Sequence, residues 1–347
     1  MTDEIEAHNT IAMKYFIAIL ILVGVVAFAL PASALTISPV KMELSGDPGA
    51  TLQGELKLFN EQDETKTFYS SSDNFEARGE TGAPFFLPER KGLATWIKTD
   101  AQIILQPKEE RIIPFSIAIP QDAEPGGYFA AILWSATPSQ ATGGGQVAVG
   151  GRLGVLILLR VAGAVQEGGG LLEFGVKDGQ KFFSSLPVDF AYRFNNTGGD
   201  RVVPRGEIIV QNVFGRTAAT LPANKKEGSV LPNSARKYEV KWESEQEAAR
   251  NEQIDAKELG SAAILFSAAG QQWSDFHFGW YTAQMHLAWG AANQSADAAY
   301  RFFIIPWQLL LILIAVLAII GFGGGWGLKK WDRYIISKAT RRQKKRK

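Results

Sequence analysis

The chain has 347 residues, 46% of them hydrophobic and 20% charged, and contains no cysteine. Disulfides and thiol chemistry are therefore excluded. The net charge of +1 averages unlike parts: residues 329–347 hold ten Lys/Arg and one acid, residues 1–14 hold three acids and one Lys, and the stretch between carries about −6, which argues against nucleic acid as its partner.

At the start, Met13-Lys14 leads into YFIAILILVGVVAFAL and then Pro31-Ala32-Ser33-Ala34. A charged start, an apolar run and small residues at the end make residues 1–34 read as a secretory signal peptide cut after Ala34. Asp3, Glu4 and Glu6 fit that pattern badly, so synthesis is expected to start at Met13; an uncleaved anchor is the alternative.

From Leu35 onward the pattern is that of strands. Leu52, Leu56 and Leu58 alternate with Gln53, Glu55 and Lys57, and Ile113, Phe115, Ile117 and Ile119 share one face. Further on, Leu186, Val188, Phe190, Tyr192 and Phe194 alternate with other residues, as do Tyr281, Ala283, Met285, Leu287 and Trp289. Turn signals punctuate these runs at Gly46-Asp47-Pro48-Gly49, Gly143-Gly144-Gly145 and Asn195-Asn196-Thr197-Gly198-Gly199. Many short strands at this spacing predict β-sandwiches.

The two halves carry the same landmarks in the same order. Strands end in Phe59-Asn60 and in Phe194-Asn195; Pro107 and Pro232 are each followed four residues later by Arg111 and Arg236; late strands open at Gly127-Tyr128 and Gly279-Trp280. This predicts two copies of one immunoglobulin-like sandwich, over 35–164 and 168–304. The second copy has an insertion at about 243–270, expected to form a short acidic helix and an apolar turn.

Phe303 to Phe322 reads FIIPWQLLLILIAVLAIIGF, twenty residues without a charge. At about 1.5 Å per residue, a helix of that length spans a hydrocarbon core of about 30 Å. Trp326, Trp331 and Tyr334 follow as a headgroup belt, and residues 323–347 form a basic tail that ends in Lys344-Lys345-Arg346-Lys347. Basic flanks stay in the cytoplasm, so the expected topology is single-pass, with the tail inside against anionic lipid and the sandwiches outside.

Catalytic signatures are scarce. His286 falls on the polar face of its strand, His277 with Asp275 resembles half a triad, and no Gly-x-Ser-x-Gly elbow supplies a nucleophile. Two histidines nine apart, without cysteine, make a poor zinc site. No catalytic, cofactor-binding or metal residue is nominated. What is left for function is a binding surface. Phe85 and Phe86, between Pro84 and Pro88, and Trp96 are its candidate residues, as loop aromatics that stack on a sugar ring or anchor a protein.

The first copy resembles the peptidoglycan-binding domain of WxL-interacting proteins, a family of surface proteins of Gram-positive bacteria. The residues concerned are Ile37-Ser38-Pro39, Pro48-Gly49, Leu58-Phe59-Asn60, Leu93-Ala94-Thr95-Trp96-Ile97, Leu105-Gln106-Pro107, Ile119-Pro120 and Pro125-Gly126-Gly127-Tyr128. The layout is similar too: signal peptide, two immunoglobulin-like domains, one span and a basic tail. The resemblance implies a first domain that binds peptidoglycan and a second that binds a protein. The second copy matches less well, and no ligand-contacting residue is carried over. A looser likeness to fimbrial-chaperone sandwiches implies partner binding by strand addition. The expected fold is all-β, two tandem immunoglobulin-like sandwiches followed by one transmembrane helix. The expected function is that of a membrane-anchored, non-catalytic binder of cell-wall polymer or another surface protein, without a cofactor. The alternatives are a chaperone-like assembly factor and, third, an envelope glycan hydrolase.

Overall fold

A computed structural model describes residues 35–138, 151–244, 270, 272–273, 276–322 and 331. The signal peptide, Gly143-Gly144-Gly145, the insertion's helix and the basic tail other than Trp331 lie outside the described residues. The chain divides into two compact units. One holds the described residues up to Asn74 with Pro88–Ala123 and Phe129–Leu159; the other holds Phe75–Leu87, Glu124–Tyr128 and the described residues from Arg160 on. The segments 75–87 and 124–128 thus belong to the second unit, although the linear boundary expected near 164 assigns them to the first.

The first sandwich is built from β1 (Leu35–Ser38), β2 (Lys41–Gly46), β3 (Thr51–Asn60), β4 (Lys66–Ala77), β5 (Pro84–Phe86), a one-turn helix α1 (Leu93–Trp96), β6 (Ile97–Thr99), β7 (Gln102–Leu105), β8 (Glu110–Ala118), β9 (Gly126–Ser135) and β10 (Leu153–Val161). One sheet has the order β1-β3-β8-β6; the other runs β2-β10-β9-β4-β5, with β7 also beside β4. The second sandwich comprises β11 (Gly170–Val176), β12 (Phe182–Phe183), β13 (Val188–Asn196), β14 (Arg205–Asn212), β15 (Thr217–Pro222), β16 (Ser234–Trp242), β17 (Gly279–Trp289) and β18 (Gln294–Ile304). Its sheets run β11-β13-β16 and β12-β18-β17-β14-β15. Apart from β6 and β7, which have no counterpart here, this is the strand order of the first, and it is the immunoglobulin-like arrangement. The landmarks read in the sequence fall on matching strands: β3 with β13, β8 with β16, β9 with β17.

One landmark shifts by a residue. Asn60 and Asn196, both buried, end β3 and β13. Asn60 Nδ2 donates to the carbonyls of Glu64 (2.9 Å) and Gln106 (3.0 Å), and its Oδ1 accepts from Gln62 N (3.1 Å). Asn196 Nδ2 donates to the carbonyls of Asp200 (2.7 Å) and Val230 (2.9 Å), and its Oδ1 accepts from Gly198 N (2.9 Å). The counterpart of Asn60 is therefore Asn196, not Asn195. Strand alternation turns position 196 to the core, where a planar amide with two donors and an acceptor satisfies the turn beyond the strand end.

Period-two alternation builds the core of the second unit. Val188, Phe190, Tyr192 and Phe194 of β13 face Ala283, Met285, Leu287 and Trp289 of β17 across the sandwich, all buried. Tyr192 and Tyr238 stack at 4.7 Å and 9°. Burial pushes both phenols up, and each donates to a carbonyl, Ala223 and Gly228 respectively. Satisfying the hydroxyls lets these rings contribute their apolar area without an orphaned polar group.

The apolar stretch at 303–322 is not helical from its start. Phe303 and Ile304 complete β18, paired with Trp280 and Gly279, and the helix α2 covers 307–322. Proline has no N–H and biases the residue before it to extended backbone, so Pro306 ends the strand and opens the helix. The described part of α2 is sixteen residues. Among the described residues, no helix is long and apolar enough to cross a membrane.

Candidate functional site

The histidines are in structural positions. His286 Nδ1 lies 2.7 Å from Asp297 Oδ1, a cross-strand pair on the exposed face of β17 and β18. His277 packs edge-on against Trp242, centroids 5.1 Å apart. Asp275, its expected partner, lies outside the described residues. Among the described residues, no group of three or more His, Asp or Glu could hold a metal.

The three nominated aromatics belong to two compact units. Phe85 and Phe86 sit in β5 rather than in an irregular loop, with Phe86 opposite Phe75 and Phe85 opposite Glu76. The strand's alternation turns Phe86 onto Phe75, edge-on at 6.3 Å, and turns Phe85 outward under the Arg78 guanidinium at 5.6 Å. Both belong to the second unit, whereas Trp96 ends α1, half-buried, in the first.

The same hairpin holds groups that residue type alone did not single out. The Glu80 carboxylate accepts from Arg193 Nε (2.8 Å) and Nη2, and its backbone carbonyl accepts from Lys237 N (2.9 Å). The hydrogen bonds from Arg193 hold the Glu80 carboxyl below the usual carboxylate range. Gly82, with φ +74°, lies where a Cβ would run into the Arg236 guanidinium. Glu80 and Arg193 are 113 residues apart in the chain, so no local pattern pairs them.

Lys237 belongs to β16, the end strand of its sheet. β16 pairs with β13 over nine residues. Alternation of an antiparallel ladder turns the N–H and C=O of Ala235, Lys237, Glu239 and Lys241 to the outer side. In the first sandwich, β6 covers the matching side of β8. Among the described residues no strand covers β16. Lys237 and Lys241 charge this edge, which discourages unspecific pairing.

A third surface lies where β18 passes into α2. Trp280 and Phe303 face each other on the outer side of the sheet, ring centroids 5.1 Å apart, and Phe278 and Phe182 lie against Phe303 at 5.9 and 6.3 Å. Phe182 and Phe278 are 66% and 53% exposed. Side chains of α2 are exposed on every side, among them Leu311, Leu313, Ile314, Val316, Leu317, Ile319, Ile320 and Phe322. Buried Gln272 reaches the first turn of α2: its Oε1 accepts from Leu309 N (3.0 Å), and its Nε2 donates to Gln308 Oε1. This side-chain cap satisfies one of the open N–H groups at the helix start.

No family model and no curated protein matches the chain. Among solved structures, it is similar to the class 5 fimbriae chaperone CfaA at a TM-score of 0.35 and 10% identity, over 77% of this chain and 99% of that one. It is similar to the Escherichia coli chaperone DraB at 0.33 and 10%, over 78% and 97%. A complex of the chaperone CsuC with the tip subunit CsuE, from the archaic Csu pili of Acinetobacter baumannii, matches at 0.32 and 10%, over 59% and 90%.

Proposed function

We propose that this chain is a membrane-anchored, non-catalytic protein of the cell envelope whose immunoglobulin-like sandwiches hold another surface protein. The observation that carries this reading is α2. It comes within three residues of the last strand and exposes apolar side chains all round, an arrangement suited to lipid and costly in water. The basic tail read from the sequence sets its cytoplasmic side.

A protein partner is favoured over the cell-wall polymer because, among the described residues, no strand covers β16, and beyond Lys237, whose N–H bonds the Glu80 carbonyl, its outward backbone groups continue at Glu239 and Lys241. An extended segment that pairs with Glu239 and Lys241, beyond the Lys237 N–H taken by Glu80, would gain affinity from backbone hydrogen bonds and specificity from alternate side chains. The chain then acts as an assembly or docking factor by strand addition, and peptidoglycan binding is the competing outcome.

The test uses the full chain in its native membrane. A photo-crosslinking residue at Lys241 is activated in intact cells, and the membranes are then extracted with alkali. The expected result is a chain that stays in the membrane pellet, carries a discrete crosslinked surface protein and fails to sediment with purified peptidoglycan once solubilised. Release by alkali overturns the anchor. Sedimentation with the polymer, without a crosslink, overturns the protein partner.

A further inference from the structure

We propose that the α2 end of the second sandwich is itself a lipid-contacting surface, a ring of aromatic side chains that sits at headgroup level and fixes how this sandwich stands on the bilayer. The inference rests on the membrane reading of α2 and goes beyond it, because a span alone leaves the attached domain without a fixed face toward the lipid.

The outer face of β17 and β18 carries the argument. Alternation sends Tyr281, Ala283, Met285 and Leu287 to the core, so the intervening positions face outward. Away from α2 these are polar or small: His286 opposite Asp297, Gln284 opposite Ala299, Thr282 opposite Arg301. At the next level the pair is Trp280 and Phe303. Phe278 and Ile305 lie just beyond the last pair, and Trp307 opens the helix. The change from polar to aromatic therefore happens along one face, within one strand length, and on the side that leads into α2.

At about 3.3 Å per residue, the two aromatic levels cover about 7 Å along the strand, which matches a headgroup layer. The polar pair His286–Asp297 lies about 20 Å from Trp280 by the same rise, clear of the bilayer. From the neighbouring strand, Phe182 pairs in parallel with Phe303 and adds an exposed ring to the same level.

No core requirement accounts for these rings. Phe302 and Phe183 fill the interior next to them, edge-on at 5.8 Å, whereas Phe182, Phe278 and Trp280 are turned out. Contiguous exposed aromatics mark an interaction surface. Continuity with a helix that is apolar from Leu309 to Phe322 names the occupant as lipid: rings with an apolar body, and for tryptophan a polar N–H, partition to the bilayer interface. Lys181, next to Phe182, and Arg301, one outward position from Phe303, supply cations for lipid phosphates.

The absence of native cysteine gives a clean experiment. Phe182→Cys, Phe278→Cys and, as a control at the opposite end of the same sheet, Ala292→Cys (exposed, in the turn between β17 and β18) are each made in the full chain and labelled with an environment-sensitive fluorophore. Each is reconstituted into phosphatidylcholine–phosphatidylglycerol vesicles, with or without lipid that carries a headgroup nitroxide. The expected result is flotation of all three, with blue-shifted emission and strong quenching at 182 and 278 and neither at 292. Flotation with 182 and 278 as unquenched as 292 overturns the lipid-contacting face and leaves the anchor standing. Blue-shifted emission without quenching shows that a second copy covers the rings, and it also overturns the proposal. Failure to float overturns the anchor reading and this inference with it. Ile305→Cys reads the same level if a ring variant does not fold.

Discussion

At the residue scale, the buried asparagines show how far a single side chain specifies a turn. Asn196 joins three backbone groups from Gly198, Asp200 and Val230. Asn196→Ala removes this partner from the buried Gly198 N–H and Asp200 carbonyl, at about 1–3 kcal/mol for each unsatisfied group, whereas the Val230 carbonyl keeps its bond from Val202 N. A loss of about 3 kcal/mol corresponds to a fall of about 10 °C in melting temperature for a domain of this size. Asn195→Ala, next to it and off the core face, is expected to stay within about 0.5 kcal/mol. Calorimetry of the two variants checks which asparagine belongs to the repeat. Glu80 makes a different prediction. Its folded carboxyl titrates below its unfolded value, because Arg193 hydrogen-bonds the charged form. The stabilisation is therefore fully present above the ordinary carboxylate range and lost as pH falls through the depressed folded value. Glu80→Gln is expected to lower the melting temperature at neutral pH, and the gap from the parent is expected to close in acid. Melting curves over a pH series measure it.

At the element scale, β18 carries two different instructions on its two faces. Phe302 is fully buried and packs against Phe183, Phe190 and Tyr281. Phe302→Ala is expected to cost about 4 kcal/mol as a cavity in a close-packed core. Phe303→Ser, one residue on, changes the outer face and is expected to cost little stability while it weakens lipid contact. Denaturant unfolding together with vesicle quenching separates the two. The edge of β16 gives the matching prediction for the partner. Glu239 turns its N–H outward, so Glu239→Pro removes an edge donor without removing a hydrogen bond to β13. The melting temperature is expected to shift by only a few degrees, and the Lys241 crosslink is expected to disappear. A crosslink that survives in the folded variant contradicts strand addition there.

At the scale of the whole molecule, the charge distribution and the apolar helix act together. A charged residue at the centre of a span costs about 2.5–3.5 kcal/mol, so Leu313→Arg with Leu317→Arg is expected to cost about 5–7 kcal/mol of insertion and to move the chain from the alkali-resistant pellet into the supernatant. Fractionation and immunoblotting read that outcome. The sequence by itself determined the all-β character, the doubling of one sandwich and the strand faces, because burial on a sheet has a period of two and leaves its mark in runs such as Tyr281 to Trp289. It also marked the apolar segment that becomes α2. It placed the start of that helix four residues early, since Phe303 and Ile304 are as apolar as the residues of α2 and only their pairing with Trp280 and Gly279 makes them strand. It nominated Phe85, Phe86 and Trp96 by residue type, and packing distributed them over two compact units. The Glu80–Arg193 contact, the uncovered edge of β16 and the aromatic level around Phe303 were decided only by the tertiary structure. Each depends on which strands become neighbours, and hydrophobic periodicity records which face of a strand is buried without recording which strand lies beside it.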